Sequence, residues 1–339
     1  MQQQPAFTLP AQPVLSKNDT AYYFMNAPIT QIVLPTRPQP DTIVAIFLLH
    51  TFGQELYPGI ESATVVADPK ATATDGHLLI DVAGGEYDHH GTDKCATELV
   101  ADKLGVLDNP ELRNLIAYAR RDDTKGQGTI SKDTIDRAFG LSGLIAALNK
   151  KHPTDADTIV STVLPLLHAH YTSAYEHYVA IPRLITELKA AQTFTSHTIQ
   201  APIRNMPVAF VTSDNVSLVG YLRSNVGGNY RAVIQRRSSG HVNILTKQDP
   251  KIDLSRLMAV IRLQEMQLQN LDCDDEASLH QTGTHELTPN WYYDPATNSL
   301  LNGGVTPDAV VATTIPWDDM QRIVLHFLAE CPLEQRPRN

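Results

Sequence analysis

Gly76-His77-Leu78-Leu79-Ile80-Asp81-Val82-Ala83-Gly84-Gly85-Glu86-Tyr87-Asp88-His89-His90-Gly91 decides how the first half of this chain folds. The apolar run Leu78 to Val82, with Gly76 before it and Gly84 after it, predicts a buried strand. Asp81 falls near its end, and a carboxylate within an apolar strand needs a strong partner. Gly84 and Gly85 then turn the chain, and Asp88, His89 and His90 follow as consecutive groups suited to metal ligation or proton transfer. Carboxylate oxygen with imidazole nitrogen fits a divalent cation such as Mn²⁺. An isolated Asp-His-His triplet arises by chance in surface turns. Here it stands one Gly-Gly turn beyond a strand-borne carboxylate, which favours a built site.

Outward from this stretch, strands and helices alternate. Gln31–Leu34 reads as a strand, and Pro35, Pro38 and Pro40 as the loop after it. Asp41 is placed to cap a helix carrying Ile43, Ile46, Phe47 and Leu49, which Gly53 ends. Ser62–Ala67 predicts a second strand and the Asp81 run a third. Cys95, Leu99, Val100 and Leu104 share a helical face within Thr92–Gly105. Leu112, Leu115, Ile116 and Ala119 do so within Pro110–Arg121, which runs into Asp122 and Asp123. The pattern predicts an α/β fold with a mainly parallel sheet and functional groups at its carboxyl edge.

Residues 132–192 read as helix throughout, with one long element from Asp155 to Gln192 bent near Pro182. His168, His170 and His177, among Tyr171, Tyr175 and Tyr178, read as packing or surface groups. A smaller α+β domain follows, with strands at Val208–Thr212, Ser217–Leu222, Arg231–Gln235 and His241–Leu245. Its helices are Asp253–Leu268 and Trp317–Leu328. The expected organisation is an amino-terminal arm (1–28), a metal-binding domain (29–150), a helical connector (151–192) and a substrate-binding domain (193–339).

The 339 residues, 42% hydrophobic and 19% charged, suffice for two cores. A formal charge of −10 argues against sequence-blind binding to long nucleic acid. It leaves room for a short strand or small anion held by local arginines. Cys95, Cys273 and Cys331 form no disulfide framework and suit a reducing compartment, and Cys273, His280 and His285 lack structural-zinc spacing. No run approaches the ~18 apolar residues of a membrane span. Met1-Gln2-Gln3-Gln4-Pro5 lacks the basic start and apolar core of a signal peptide. A cytoplasmic location without a membrane partner is expected, and the oligomeric state stays open.

Leu78 to Gly91, LLIDVAGGEYDHHG, resembles motifs two and three of the DHH phosphoesterase superfamily. That superfamily includes RecJ-type exonucleases, short-oligonucleotide phosphodiesterases and family II inorganic pyrophosphatases. The Gly-Gly-x-Tyr before Asp-His-His is most similar to a branch containing an RNA exonuclease of eukaryotes. The first motif, approximately His-x-Asn-Pro-Asp-x-Asp, falls on Pro35 to Asp41. Pro38 meets its proline and Asp41 its second aspartate, while Pro35 and Gln39 replace the histidine and first aspartate. A second register places Asp41 on the first aspartate instead.

The resemblance implies that one metal's ligands are mostly lost and the other's kept. The kept set is Asp41, Asp81, His89 and either Asp122 or Asp123, with Asp123 preferred, around one tightly bound Mn²⁺ or Mg²⁺. Asp88 would tune a histidine, and His90 would contact phosphate or protonate the leaving oxygen. Arg236-Arg237-Ser238-Ser239-Gly240-His241-Val242 resembles a weakened Gly-Gly-x-His-like turn of a DHHA1-type second domain, with Ser239 where glycine is common. Arginines can clasp phosphate bidentately while hydroxyl and backbone N–H groups complete the cradle. Arg236, Arg237, Ser238, Gly240 and His241 are therefore the expected substrate contacts. The implied activity is metal-dependent hydrolysis of phosphodiesters in short oligonucleotides or single-stranded ends. Two alternatives stand beside it: a catalytically weak or inactive DHH-like nucleotide- or protein-binding module, and a pyrophosphatase or cyclic-dinucleotide phosphodiesterase.

Overall fold

A computed structural model of the chain describes residues 27–200, 205–248, 252–303 and 309–330. All but the last two residues of the expected arm, and Cys331, lie outside them. The fold is mixed α/β, with one three-stranded and one seven-stranded sheet, and the chain divides into two compact units between Ser173 and Ala174.

The first unit contains β1 (Gln31–Leu34), α1 (Pro40–Phe52), β2 (Thr64–Ala67), β3 (His77–Leu79), α2 (Ala96–Lys103), α3 (Arg113–Lys125), α4 (Thr134–Phe139) and α5 (Leu141–Lys151). It also holds all but the end of α6 (Ala156–Tyr175). Its sheet has the order β2-β1-β3 and is wholly parallel, with Gln31 beside both Thr64 and His77. Every residue of α1 from Pro40 to Leu49 is buried. Ile43-Val44-Ala45-Ile46-Phe47-Leu48-Leu49 has no polar face to turn to water, so the helix becomes the centre of the unit.

Three local expectations need correction. The strand predicted over Leu78–Val82 ends at Leu79, leaving an isolated bridge between Ile80 and Tyr87. Asp81 lies beyond it in a left-handed turn, φ 58°. Asp41 does not cap α1: Gln39 holds the cap and Pro40 the first helical position, where its missing N–H costs nothing. Asp122 and Asp123 belong to the last turn of α3, which runs on past the predicted helix end at Arg121 to Lys125.

A π-helical turn, Glu176–Ala180, follows α6, so the expected bend falls just ahead of Pro182. The second unit continues with α7 (Ile181–Ala190), β4 (Phe194–Gln200), β5 (Asn205–Thr212), α8 (Leu218–Arg223), β6 (Ala232–Arg236), β7 (Val242–Thr246) and α9 (Ser255–Leu268). It ends with β8 (Gly283–His285), β9 (Thr288–Asp294), β10 (Ser299–Asn302) and α10 (Trp317–Glu330). Strand order is β4-β5-β6-β7-β10-β9-β8, and β5 with β6 is the single parallel pair. Joining parallel neighbours requires a crossover. Ser217–Leu222, predicted as a strand, lies in that crossover and forms α8. Alternate residues face opposite sides of the sheet. Val208, Phe210 and Ile234 join a core with Met258, Ile261 and Val324, whereas Ala209, Val211 and Val233 join Ile181, Leu218 and Leu222. No helix among the described residues is long and apolar enough to cross a membrane.

Candidate metal centre

The loops and helix ends near the carboxyl edge of the first unit's sheet gather the acidic residues and the histidines. Asp41, in the first turn of α1, is buried. Its two carboxylate oxygens accept the N–H groups of Ala96 and Thr97, each at 3.0 Å, at the start of α2. Negative charge suits a helix N-terminus, and two accepted bonds leave lone pairs free for a cation.

Asp81 is positioned by its backbone. The turn after β3 puts it at positive φ, and its N–H donates to the Tyr87 carbonyl at 3.1 Å. Gly85 makes this turn feasible, since a Cβ there would lie 2.7 Å from Leu79 Cβ. Tyr87 is buried, and its hydroxyl meets that of Tyr57 at 2.5 Å. A non-glycine residue in the left-handed region costs energy and points toward function. The turn brings Asp81 Oδ1 within 2.8 Å of His89 Nε2. Beyond this His89 contact the buried Oδ1 has no hydrogen-bond donor.

Asp123 completes the cluster: Asp41, His89 and Asp123 each present a ligating atom within 4.8 Å of the other two. No other such group of three occurs among the described residues. Asp122 points elsewhere and accepts the Ser142 hydroxyl at 2.8 Å. Both aspartates occupy the electrostatically unfavourable end of α3, where the macrodipole is negative. Burial raises the pKa of Asp81 and of Asp123, and the charge of Asp41 adds to the rise in each. A dication would relieve this crowding, and a buried Asp81 oxygen with no neighbour but the His89 ring is the kind of atom that a metal satisfies. The residues present therefore fit a hard divalent ion.

Asp88 is held down to about 2, chiefly by the Gly84 N–H and then by His90. Its Oδ1 lies 2.7 Å from His90 Nδ1, and its Oδ2 accepts the Gly84 N–H at 2.8 Å. His90 is exposed, stacks on His89 with ring centroids 5.2 Å apart, and has its pKa raised by the Asp88 contact.

In the second unit, the turn after β6 is held largely by itself. His241 is buried; Nε2 lies 2.8 Å from the Val310 carbonyl and Nδ1 2.9 Å from the Ser239 hydroxyl. The carbonyl can only accept, so Nε2 carries the proton and Nδ1 receives the one from Ser239. Both ring nitrogens are thus engaged, unlike the free substrate contact expected from sequence. The Ser238 N–H donates to Asp214 at 2.9 Å, and the Gly240 N–H to the Arg237 carbonyl at 2.9 Å. Arg236 is exposed, and Arg237 is half-buried with its Nε lacking a partner.

Sequence reasoning named Asp41, His89 and Asp123, which the fold brings together, but missed what supports them. The anchoring of Asp41 by Ala96 and Thr97 and the Tyr57–Tyr87 contact had no signal in spacing. The Pro40-Asp41 pair at a helix start was the nearest cue for the first. No protein-family model matches this chain, and no curated protein is recognisably similar to it in sequence.

Proposed function

We propose that the chain is a DHH-type, divalent-metal-dependent phosphodiesterase acting on short oligonucleotides or single-stranded ends. The observation that carries this is the convergence of Asp41, His89 and Asp123, with the buried Asp81 oxygen against His89. These four residues would hold the ion, and three carboxylates with one imidazole suit Mn²⁺ or Mg²⁺. When bound, such an ion polarises phosphate and lowers the pKa of water.

The chain's own groups supply the rest. Asp88 fixes the His90 ring through Nδ1 and favours its protonated form, leaving the exposed Nε2 to hold a phosphate oxygen or protonate the leaving oxygen. The same reading places the protein in the cytoplasm, in keeping with the unpaired thiols of Cys95 and Cys273.

Purified protein should release mononucleotides from labelled short RNA or DNA in a Mn²⁺-dependent manner, and His89→Ala should abolish release. Absence of release, together with unchanged Mn²⁺ binding by His89→Ala, would refute the assignment. A second reading, a catalytically weak nucleotide-binding module, draws on Pro35 and Gln39, which supply no anionic ligand. Gain of hydrolysis from none on combining Pro35→His with Gln39→Asp would favour it. Pyrophosphate and cyclic dinucleotides in the same assay decide the substrate alternatives.

A further inference from the structure

α9 carries three charged residues, and two of them, Arg262 and Glu265, are fully buried. Its inner face packs on the seven-stranded sheet through Leu257, Met258 and Ile261. The outer face belongs to Val260, Leu263, Gln264, Gln267 and Leu268, whose three- and four-residue spacing sets them on one side of the helix. Val260 is 46% exposed, Leu263 37% and Leu268 44%. Leu271, just past the helix end, is exposed as well.

A surface helix ordinarily turns charged groups to water. α10, packed beside α9, does so with Asp318, Arg322, His326 and Glu330. The outer face of α9 offers only aliphatic and amide groups, in a continuous line and not as isolated apolar residues. Charge appears at its two ends, with opposite sign. Arg256 stands exposed at the amino end, and exposed Asp272 and Asp274 follow the carboxyl end. None of these three has an ion-pair partner among the described residues.

A face of this kind complements itself when reversed. In an antiparallel pair about a two-fold axis, the register that sets Leu263 against Leu268 also sets Gln264 against Gln267 and Val260 against Leu271. It brings Arg256 of each copy toward the acidic run of the other. A parallel pair would instead oppose like charges at both ends.

We propose that the outer face of α9 docks a second copy of this chain, α9 on α9, antiparallel and across a two-fold axis. Each Gln264 amide can exchange hydrogen bonds with the facing Gln267, so polar groups are satisfied as the aliphatic ones are covered. The contact is small: a helix of 14 residues is about 21 Å long, short of the ~800 Å² per partner of a standard interface. A net charge of −10 on each copy adds repulsion. Association is therefore weak, with a dimer that dissociates at roughly micromolar concentration. The inference is independent of the phosphoesterase reading, whose candidate ligands all belong to the first unit.

Sedimentation equilibrium of the full chain over a range of concentrations tests it. The expected result is a monomer–dimer equilibrium, weakened at least tenfold by Leu263→Glu with the circular dichroism spectrum unchanged. Arg256→Asp should also weaken the dimer, and adding Asp272→Arg and Asp274→Arg to it should restore association, because the reversed charges pair again. Arg322→Glu, on the outer face of α10, should change nothing. If Leu263→Glu does not fold, Gln267→Glu, which places like charges near the axis, takes its place. A parent chain that stays monomeric at every concentration overturns the proposal. So does a dimer that Leu263→Glu and Gln267→Glu leave intact, or one that charge reversal fails to restore.

Discussion

Thr97 and Asp41 clasp each other through side chain and backbone. The Thr97 N–H donates to Asp41 Oδ1 at 3.0 Å, and its hydroxyl donates to the Asp41 carbonyl at 2.8 Å. With Ala96 donating to the second carboxylate oxygen, Asp41 satisfies N–H groups at the start of α2 that no helical carbonyl can reach. Asp41→Ala should therefore lower stability by about 1–3 kcal/mol, and Thr97→Val by about 1 kcal/mol, in urea denaturation. Unchanged midpoints would show that the clasp contributes nothing. Loss of metal binding in an Asp41 variant would also be hard to separate from loss of fold, which makes His89 the better probe.

Asp81 separates the two effects in the opposite direction. Its positive φ suits asparagine as well as aspartate, whereas alanine tolerates it poorly. Asp81→Asn should keep the native circular dichroism spectrum and melting temperature while weakening Mn²⁺ binding at least tenfold. Asp81→Ala should lose the ion and also about 1 kcal/mol of stability. If Asp81→Asn bound Mn²⁺ like the parent, this carboxylate would not be a ligand.

Only one ligand group occurs among the described residues, so calorimetry should count one tightly bound Mn²⁺ per chain. Asp123→Asn should weaken that ion at least tenfold. Asp122→Asn should not, because Asp122 is occupied with Ser142. Gln39→Ala should barely matter, since a neutral oxygen offsets little of a dication's dehydration. Two equally filled sites in the free protein would contradict this ligand assignment.

His50 gives the first unit a pH dependence away from the metal centre. Burial, reinforced by the neighbouring His168, lowers its pKa below the usual 6.5, outweighing the opposing charges of Glu61 and Asp157. Its Nε2 is buried without a partner. Above pH 6.5 the imidazole is neutral whether the chain is folded or not, and stability is at its full value. As pH falls below that, the unfolded chain takes up the proton first, so stability declines until the folded-state pKa is passed. Denaturation midpoints should fall across that window, and His50→Leu should flatten the decline. An equally steep decline in the variant would assign the effect to other groups.

The sequence by itself determined the strand–helix alternation of the first unit, and with it the chain segments that carry Asp41, Asp81, His89 and the Asp122–Asp123 pair. Hydrophobic period and the Gly-Gly turn are local signals, set by side chains a few residues apart. It also located β5, β6, β7, α9 and α10 to within a few residues. Ser217–Leu222 escaped because a short apolar run suits strand and helix alike, and only the parallel pairing of β5 with β6 demands a crossover there. Likewise, Asp122 and Asp123 are chemically identical in sequence. Their positions on α3 turn one toward Ser142 and the other toward Asp41 and His89. The Asn149 amide donates to the Pro38 carbonyl, over a hundred residues away. Contacts of that range cost chain entropy that no local pattern records, so tertiary packing alone decided them.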